Sequence, residues 1–488
     1  MTHGIERRTF LKKAALTSAA VSSGALGQVA IGSTVRNPAH KVYTSFSEPI
    51  TDPSSELFIT WISNNPDARV MELRPATAVA TWTPLTSFRT REFPALPDHW
   101  LHTIRLGGLT PDTIYEYRVP GADFSDKVKT CRAQLPLNVV WASDWQMNDY
   151  SSDGFLWRLG DALTAHDEMD LLWLGGDYVN DDGRVTETFS QRWLNFLTIL
   201  PARYRTRDGA QYPMLAVIGN HEGRAATRVD DDRGGGSAGT GGDGKLGQIA
   251  DLFSWSYDPE HPTRYRNSCA TMRVGNELFF LGLETDHTEP LVEQFDFFRH
   301  VLAENTPQVR HSFIGGHVPP FNNWSTNYTR AGDRTLRNLF WPEAQKYSGA
   351  GKSLRGWLGG HTHAVVVTPK LKFDYRSDLS DEENDNRWYV DPEGLRQLGN
   401  GPMGRPARQN IDTVNRISPI DGSHYWSAIL KGDRRNPDPN YLEVLGEGIT
   451  NPQIPLSHAW VYKLSPRSWT AEAVNLDGKL FYQFSENV

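Results

Sequence analysis

Apolar, strand-forming runs that each end at a short polar cluster are the feature that most restricts this chain. Leu137–Ala142 runs into Asp144-Trp145-Gln146, and Leu171–Leu174 into Gly176-Asp177-Tyr178-Val179-Asn180. Met214–Ile218 runs into Gly219-Asn220-His221-Glu222. Later, His311–Ile314 leads to Gly316-His317, and Leu354–Leu358 to Gly360-His361-Thr362-His363. Runs that are apolar at nearly every position need cover on both faces, so they predict buried strands. Helical spacing over Phe155–His166 and Val185–Leu200 separates the first three, and Leu278–Leu283 supplies a further strand. Alternating strands and helices predict an α/β arrangement that brings the polar clusters to one edge of a sheet.

Residues 40–135 read differently. Leu57-Phe58-Ile59-Thr60-Trp61 and His102-Thr103-Ile104-Arg105-Leu106 are rich in strand formers, and Gly108-Leu109-Thr110-Pro111-Asp112-Thr113 is a turn before Tyr115-Glu116-Tyr117-Arg118-Val119. That rhythm predicts an all-β sandwich, and the stretch from Gly108 to Tyr117 resembles a fibronectin type III domain. A catalytic region of residues 136–488 follows, with two expected insertions. One lies near 224–250, where Gly and Asp dominate, and a polar one spans 373–448.

The first 30 residues read as a leader. Glu6-Arg7-Arg8-Thr9-Phe10-Leu11-Lys12 is similar to the twin-arginine export pattern, followed by an Ala/Ser-rich stretch too polar for a stable membrane span. This resemblance implies export by the twin-arginine machinery to a periplasmic, cell-surface or secreted location. The chain's net charge is −8, and the leader holds four basic residues against one acid, so the body is more acidic still. Such a body has no general attraction for nucleic acid or anionic membrane. A disulfide scaffold is excluded, because only Cys131 and Cys269 exist. A single bridge and two buried thiols both remain open.

The polar clusters offer carboxylates, amides and imidazoles, a donor set that suits two hard-to-borderline cations sharing a carboxylate. Two metals that share a water are a device for splitting phosphate esters. The clusters, in this order, resemble the calcineurin-like metallophosphoesterases over residues 137–368, and with the β-module in front the layout is similar to purple acid phosphatases. The resemblance implies a four-layer α/β/β/α catalytic domain holding two divalent or mixed-valence ions of iron, zinc or manganese. It also implies that Asp144 and His363 bind one metal, Asp177 bridges, and Asn220, His317 and His361 bind the other. Hydroxide would attack phosphorus, with His221 as general acid. Arg184 and Arg224 are candidates for holding substrate oxygens, and Asn322, Asn323 and Trp324 for lining the pocket.

Three residues depart from the family pattern. Gln146 stands where an imidazole is usual; either its carbonyl ligates weakly or a water replaces it. Asn180 stands where purple acid phosphatases have a tyrosine ligand, so their colour is not expected, and Tyr178 is expected to point elsewhere. In protein Ser/Thr phosphatases an Asp orients the general acid at the position of Asn180, and an Arg follows it; here Asp181 follows. The small-molecule phosphomonoesterase is the leading reading, with a phosphodiesterase or nucleotide-cleaving enzyme as the alternative. A non-catalytic binding protein with a decayed metal site is the competing reading of another class.

Overall fold

The computed structural model describes residues 41–45, 52–145, 150–179, 196–219, 269–320, 335–361, 366–399 and 458–488, apart from short stretches within them. All belong to one unit, Asn37–Val488; the leader lies outside the described residues.

Eight strands build the N-terminal part: β1 (Lys41–Ser45), β2 (Leu57–Ser63), β3 (Met71–Pro75), β4 (Thr83–Leu85), β5 (Arg89–Glu92), β6 (Trp100–Leu106), β7 (Ile114–Arg118) and β8 (Ser125–Lys129). They form two antiparallel sheets, ordered β1-β2-β6-β5 and β4-β3-β7-β8. Leu57, Ile59 and Trp61 of one sheet share a core with Met71, Leu73, Tyr115 and Tyr117 of the other. This is the face-to-face packing that alternating strands require.

The catalytic region opens with β9 (Leu137–Ala142), helix α1 (Tyr150–His166), β10 (Leu171–Leu174) and β11 (Met214–Ala216). Then come β12 (Ala270–Val274), β13 (Leu278–Leu283), helix α2 (Leu291–Asn305), β14 (His311–Gly316) and β15 (Leu354–Gly359). The short strands β16 (Val366–Val367), β17 (Leu371–Phe373), β18 (Trp388–Val390) and β19 (Gln397–Gly399) precede β20 (His458–Leu464), β21 (Ser468–Asn475) and β22 (Leu480–Asn487). Two six-stranded mixed sheets result, β11-β10-β9-β20-β21-β22 and β12-β13-β14-β15-β19-β16. In each, three neighbouring strands run parallel: β9, β10 and β11 in the first, and β13, β14 and β15 in the second.

Both faces of β9 are buried, as its sequence predicts. Leu137, Val139 and Trp141 join a core with Phe280 and Phe313 of the second sheet, while Val140 and Ala142 pack with Leu159 and Leu163 of α1. The i, i+4 spacing of those two leucines puts them on one helix face. The second sheet repeats the plan: Phe279, Leu281 and Leu283 face Phe298, Val301 and Leu302 of α2.

One expected boundary changes. The region 373–448 was read as an insertion, yet Gln397–Gly399 is a strand of the main sheet, parallel to β15 and antiparallel to β16. Three residues with one apolar side chain, the fully buried Leu398, carry no periodicity to read. Residues 400–457 and 220–268 lie outside the described residues.

The sandwich is joined to the catalytic region through charge and backbone. Arg205 meets the Asp126 carboxylate through both Nη atoms, at 2.6 and 2.7 Å, and Gln211 donates to the same group at 2.8 Å. The Gln211 N–H donates to the Lys127 carbonyl at 2.9 Å, and its own carbonyl accepts from Lys129 N–H at 3.1 Å. The two cysteines are buried free thiols.

Candidate metal centre

The polar clusters sit where the main chain leaves the strands, and the main chain there is unusual. Asp144 (φ 60°), Asp177 (φ 57°) and His361 (φ 71°) all adopt the left-handed conformation. For a residue with a Cβ this costs about 1–2 kcal/mol, least for Asp, and such outliers gather at functional sites. The turn puts each side chain on the edge of its sheet rather than continuing the strand.

Backbone bonds tie these turns together. Within the first sheet, Gly175 N–H donates to the Ala142 carbonyl at 2.6 Å, and Asp144 N–H to the Gly176 carbonyl at 2.9 Å. Within the second, Gly360 N–H donates to the His317 carbonyl at 2.8 Å. Between sheets, Trp141 Nε1 donates to the Gly359 carbonyl at 2.9 Å, and His361 N–H reaches the Asp144 carboxylate at 3.0 and 3.1 Å.

Such proximity needs glycine. A Cβ on Gly176 would lie 2.7 Å from Gly219 Cα and 2.8 Å from His317 Nδ1, and its φ is 89°. A Cβ on Gly360 would meet the same His317 nitrogen at 2.9 Å.

His317 is fully buried, and its Nδ1 donates to the Gly175 carbonyl at 2.7 Å. That bond holds a proton on Nδ1 and turns Nε2 toward Asp177 Oδ2, at 3.2 Å, and Asp144 Oδ1, at 3.9 Å. Burial pushes the imidazole's pKa down, but the Asp177 and Asp144 carboxylates outweigh it and raise the group to about 9. The His361 ring stands at 80° to that of His317 with centroids 5.4 Å apart.

Asp177, His317 and His361 offer ligand atoms that all lie within 4.8 Å of one another, and all three residues are buried. Asp144 is not part of that group. Two imidazoles and a carboxylate are a donor set for a first-row divalent ion, so the residues fit a metal. Gln146, Asn180, Arg184, Asn220, His221, Arg224, Asn322, Asn323, Trp324 and His363 lie outside the described residues. Tyr178 turns away from the centre: it is fully buried, and its hydroxyl donates to the carbonyls of Leu174, at 3.1 Å, and Val217.

Three residues here went unnoticed in the sequence. Ser143 Oγ donates to Asp144 Oδ2 at 2.6 Å. Glu284 is fully buried one position beyond β13, whose Leu283 pairs with Gly316, and accepts from Gln294 Nε2 at 3.3 Å. His458 begins β20; burial holds it down to about 3 against the pull of Asp144. Only Ser143, preceding a motif Asp, left any trace in the sequence.

Comparison with known proteins agrees with this geometry. Residues 137–365 match the family model of calcineurin-like phosphoesterases. Residues 43–131 match that of the purple acid phosphatase N-terminal domain. Residues 137–365 thus form a calcineurin-like phosphoesterase domain behind a purple acid phosphatase-type N-terminal domain at residues 43–131. No curated protein matches it. A solved structure of the multi-modular cell-surface chitinase ChiW from Paenibacillus sp. strain FPU-7 aligns at 10% identity and a TM-score of 0.16. The alignment covers 75% of this chain and 35% of that one, so the chain spans about a third of that enzyme's length.

Proposed function

We propose that the protein is an exported phosphoesterase that uses two metal ions to hydrolyse small phosphate monoesters. The observation that carries this reading is the convergence of Asp177, His317 and His361, delivered from strands of two different sheets so that their ligand atoms lie within 4.8 Å of one another. In the proposed architecture the two sheets and their helices make a four-layer α/β/β/α domain behind a fibronectin type III-like sandwich (residues 40–135). Residues 1–30 direct export through the twin-arginine route.

Bound metals of the iron, zinc or manganese type would neutralise the phosphoryl oxygens and acidify water. His317 and His361, with Asn220, would hold one metal, and Asp144 and His363, with a weak contribution from Gln146, the other. Asp177 would span both. Two carboxylates against two divalent cations leave a net positive centre, which draws an anionic ester into an otherwise acidic protein. The Gly175 carbonyl holds a proton on His317 Nδ1, so Nε2 is the atom turned to the carboxylates and would ligate once its own proton is displaced. His221 would give its proton to the leaving oxygen, with Asn180 orienting the ring, and Arg184 and Arg224 would hold the substrate's remaining oxygens.

Metal analysis together with turnover of p-nitrophenyl phosphate and bis-p-nitrophenyl phosphate tests this reading. About two metals per chain and faster monoester turnover are expected, with a loss of 100-fold or more in His221→Ala. Faster diester turnover would reassign the substrate class. Metal-free protein without hydrolysis would overturn the reading.

A further inference from the structure

We infer that Ser143, through its hydroxyl, is a positioning residue that fixes the Asp144 carboxylate so that it offers a metal Oδ1 and not Oδ2. This rests on the metal-centre reading above. Ser143 follows β9 directly and is fully buried. Its Oγ donates to Asp144 Oδ2 at 2.6 Å, and the His361 N–H approaches that oxygen at 3.0 Å and Oδ1 at 3.1 Å. Oδ2 therefore has two donors on it and Oδ1 shares one of them, and Oδ1 is the atom turned to His317 Nε2, at 3.9 Å.

The left-handed main chain at Asp144 already fixes where the side chain starts. What remains free is rotation of the carboxylate about its own axis, which would let either oxygen, or both, meet a cation. A short charge-assisted O–H···O bond removes that freedom.

The serine itself is wedged. A Cβ on Gly175 would lie 2.7 Å from Ser143 Cβ, and one on Gly360 would lie 3.0 Å from both Cβ and Oγ. Gly175 follows a strand of the first sheet and Gly360 a strand of the second, so the side chain sits where the two sheet edges meet.

In the assignment proposed above, Asp144 is a ligand of one metal and not of the other, so its orientation bears on that metal alone. Loss of a residue that orients a ligand typically lowers metal affinity by about 10–100-fold. Zn2+ alone, titrated calorimetrically into chelator-stripped full-length protein with a competing chelator, reads the two binding steps separately. In Ser143→Ala one step should weaken by about 10–100-fold, and the other should stay within about twofold. Two unchanged steps, or two steps weakened alike, would overturn the inference while leaving the metal centre in place. Wild-type protein that takes up no Zn2+ would overturn both. Ser143→Cys keeps a side-chain donor, though a poorer one, and carries the test if the alanine variant does not fold. It should weaken the same single step by less, and no shift in that step overturns the inference.

Discussion

His317 Nε2 lies 3.2 Å from Asp177 Oδ2, across the junction of the two main sheets, and is aimed from behind by the Gly175 carbonyl on Nδ1. Asp177 follows β10 of one sheet and His317 follows β14 of the other. The centre is thus a property of the way the sheets face each other, and neither sheet holds it alone.

Metal uptake should release a proton and weaken in acid. The Asp177 and Asp144 carboxylates, overcoming burial, raise His317 to about 9, so in the metal-free protein it is charged at neutral pH. A cation must displace that proton, so apparent affinity should fall about tenfold per pH unit below that value. In the metal-free protein the sign for stability is the opposite. The folded-state pKa lies above the ordinary 6.5, so the gain is full below 6.5 and is lost as pH rises through about 9. Calorimetry in buffers of differing ionisation enthalpy would count the proton; none released would refute the assignment.

Gly176→Ala should damage both fold and centre. The left-handed φ costs about 1–2 kcal/mol, and the overlap with Gly219 and His317 adds about 1–3 kcal/mol. Thermal unfolding should show a loss of at least about 2 kcal/mol together with weaker metal binding. A variant as stable as wild type would contradict the crowding described at this turn.

Acid should destabilise the protein through His311. Burial holds this imidazole down to about 4; its Nε2 donates to the Ser465 carbonyl at 2.8 Å, and its Nδ1 accepts from Arg355 Nε at 3.3 Å. A neutral ring with one donor and one acceptor satisfies both. The unfolded chain binds the proton first, so stability is full above 6.5 and falls by about 3 kcal/mol as pH drops to about 4. His311→Gln should flatten that slope in denaturant titrations at pH 4–7, and an unaltered slope would place the acid sensitivity elsewhere.

Asp126→Asn should loosen the join between sandwich and catalytic region. It leaves the Arg205 guanidinium without its bidentate partner, at a cost of about 3 kcal/mol for a largely buried pair. Scanning calorimetry of wild-type protein should show one transition for both regions, because the sandwich core runs unbroken into the core between the main sheets. Two separated wild-type transitions would show that the sandwich folds as an independent module.

The strands carrying Asp144, Asp177, His317 and His361 were legible because each is a run of apolar residues ended by polar ones. Tyr178 was legible too, since neighbouring residues cannot both face one point. Glu284 and His458 were not, because nothing in their local pattern sets them apart, and Ser143 was marked only by its place before Asp144. Strand β19 is too short for any period to show. Strand β22, Leu480–Asn487, was missed because its Gln483, Ser485 and Glu486 dilute the apolar signal at a sheet edge.

The strand that carries Asp144 lies between β10 and β20, and β20 comes from residues 458–464. During translation, Leu137–Ala142 keeps one open hydrogen-bonding side until that late segment leaves the ribosome. A chain ended before residue 458 lacks the strand that covers this edge of β9, and so leaves the run leading to Asp144 open on one side.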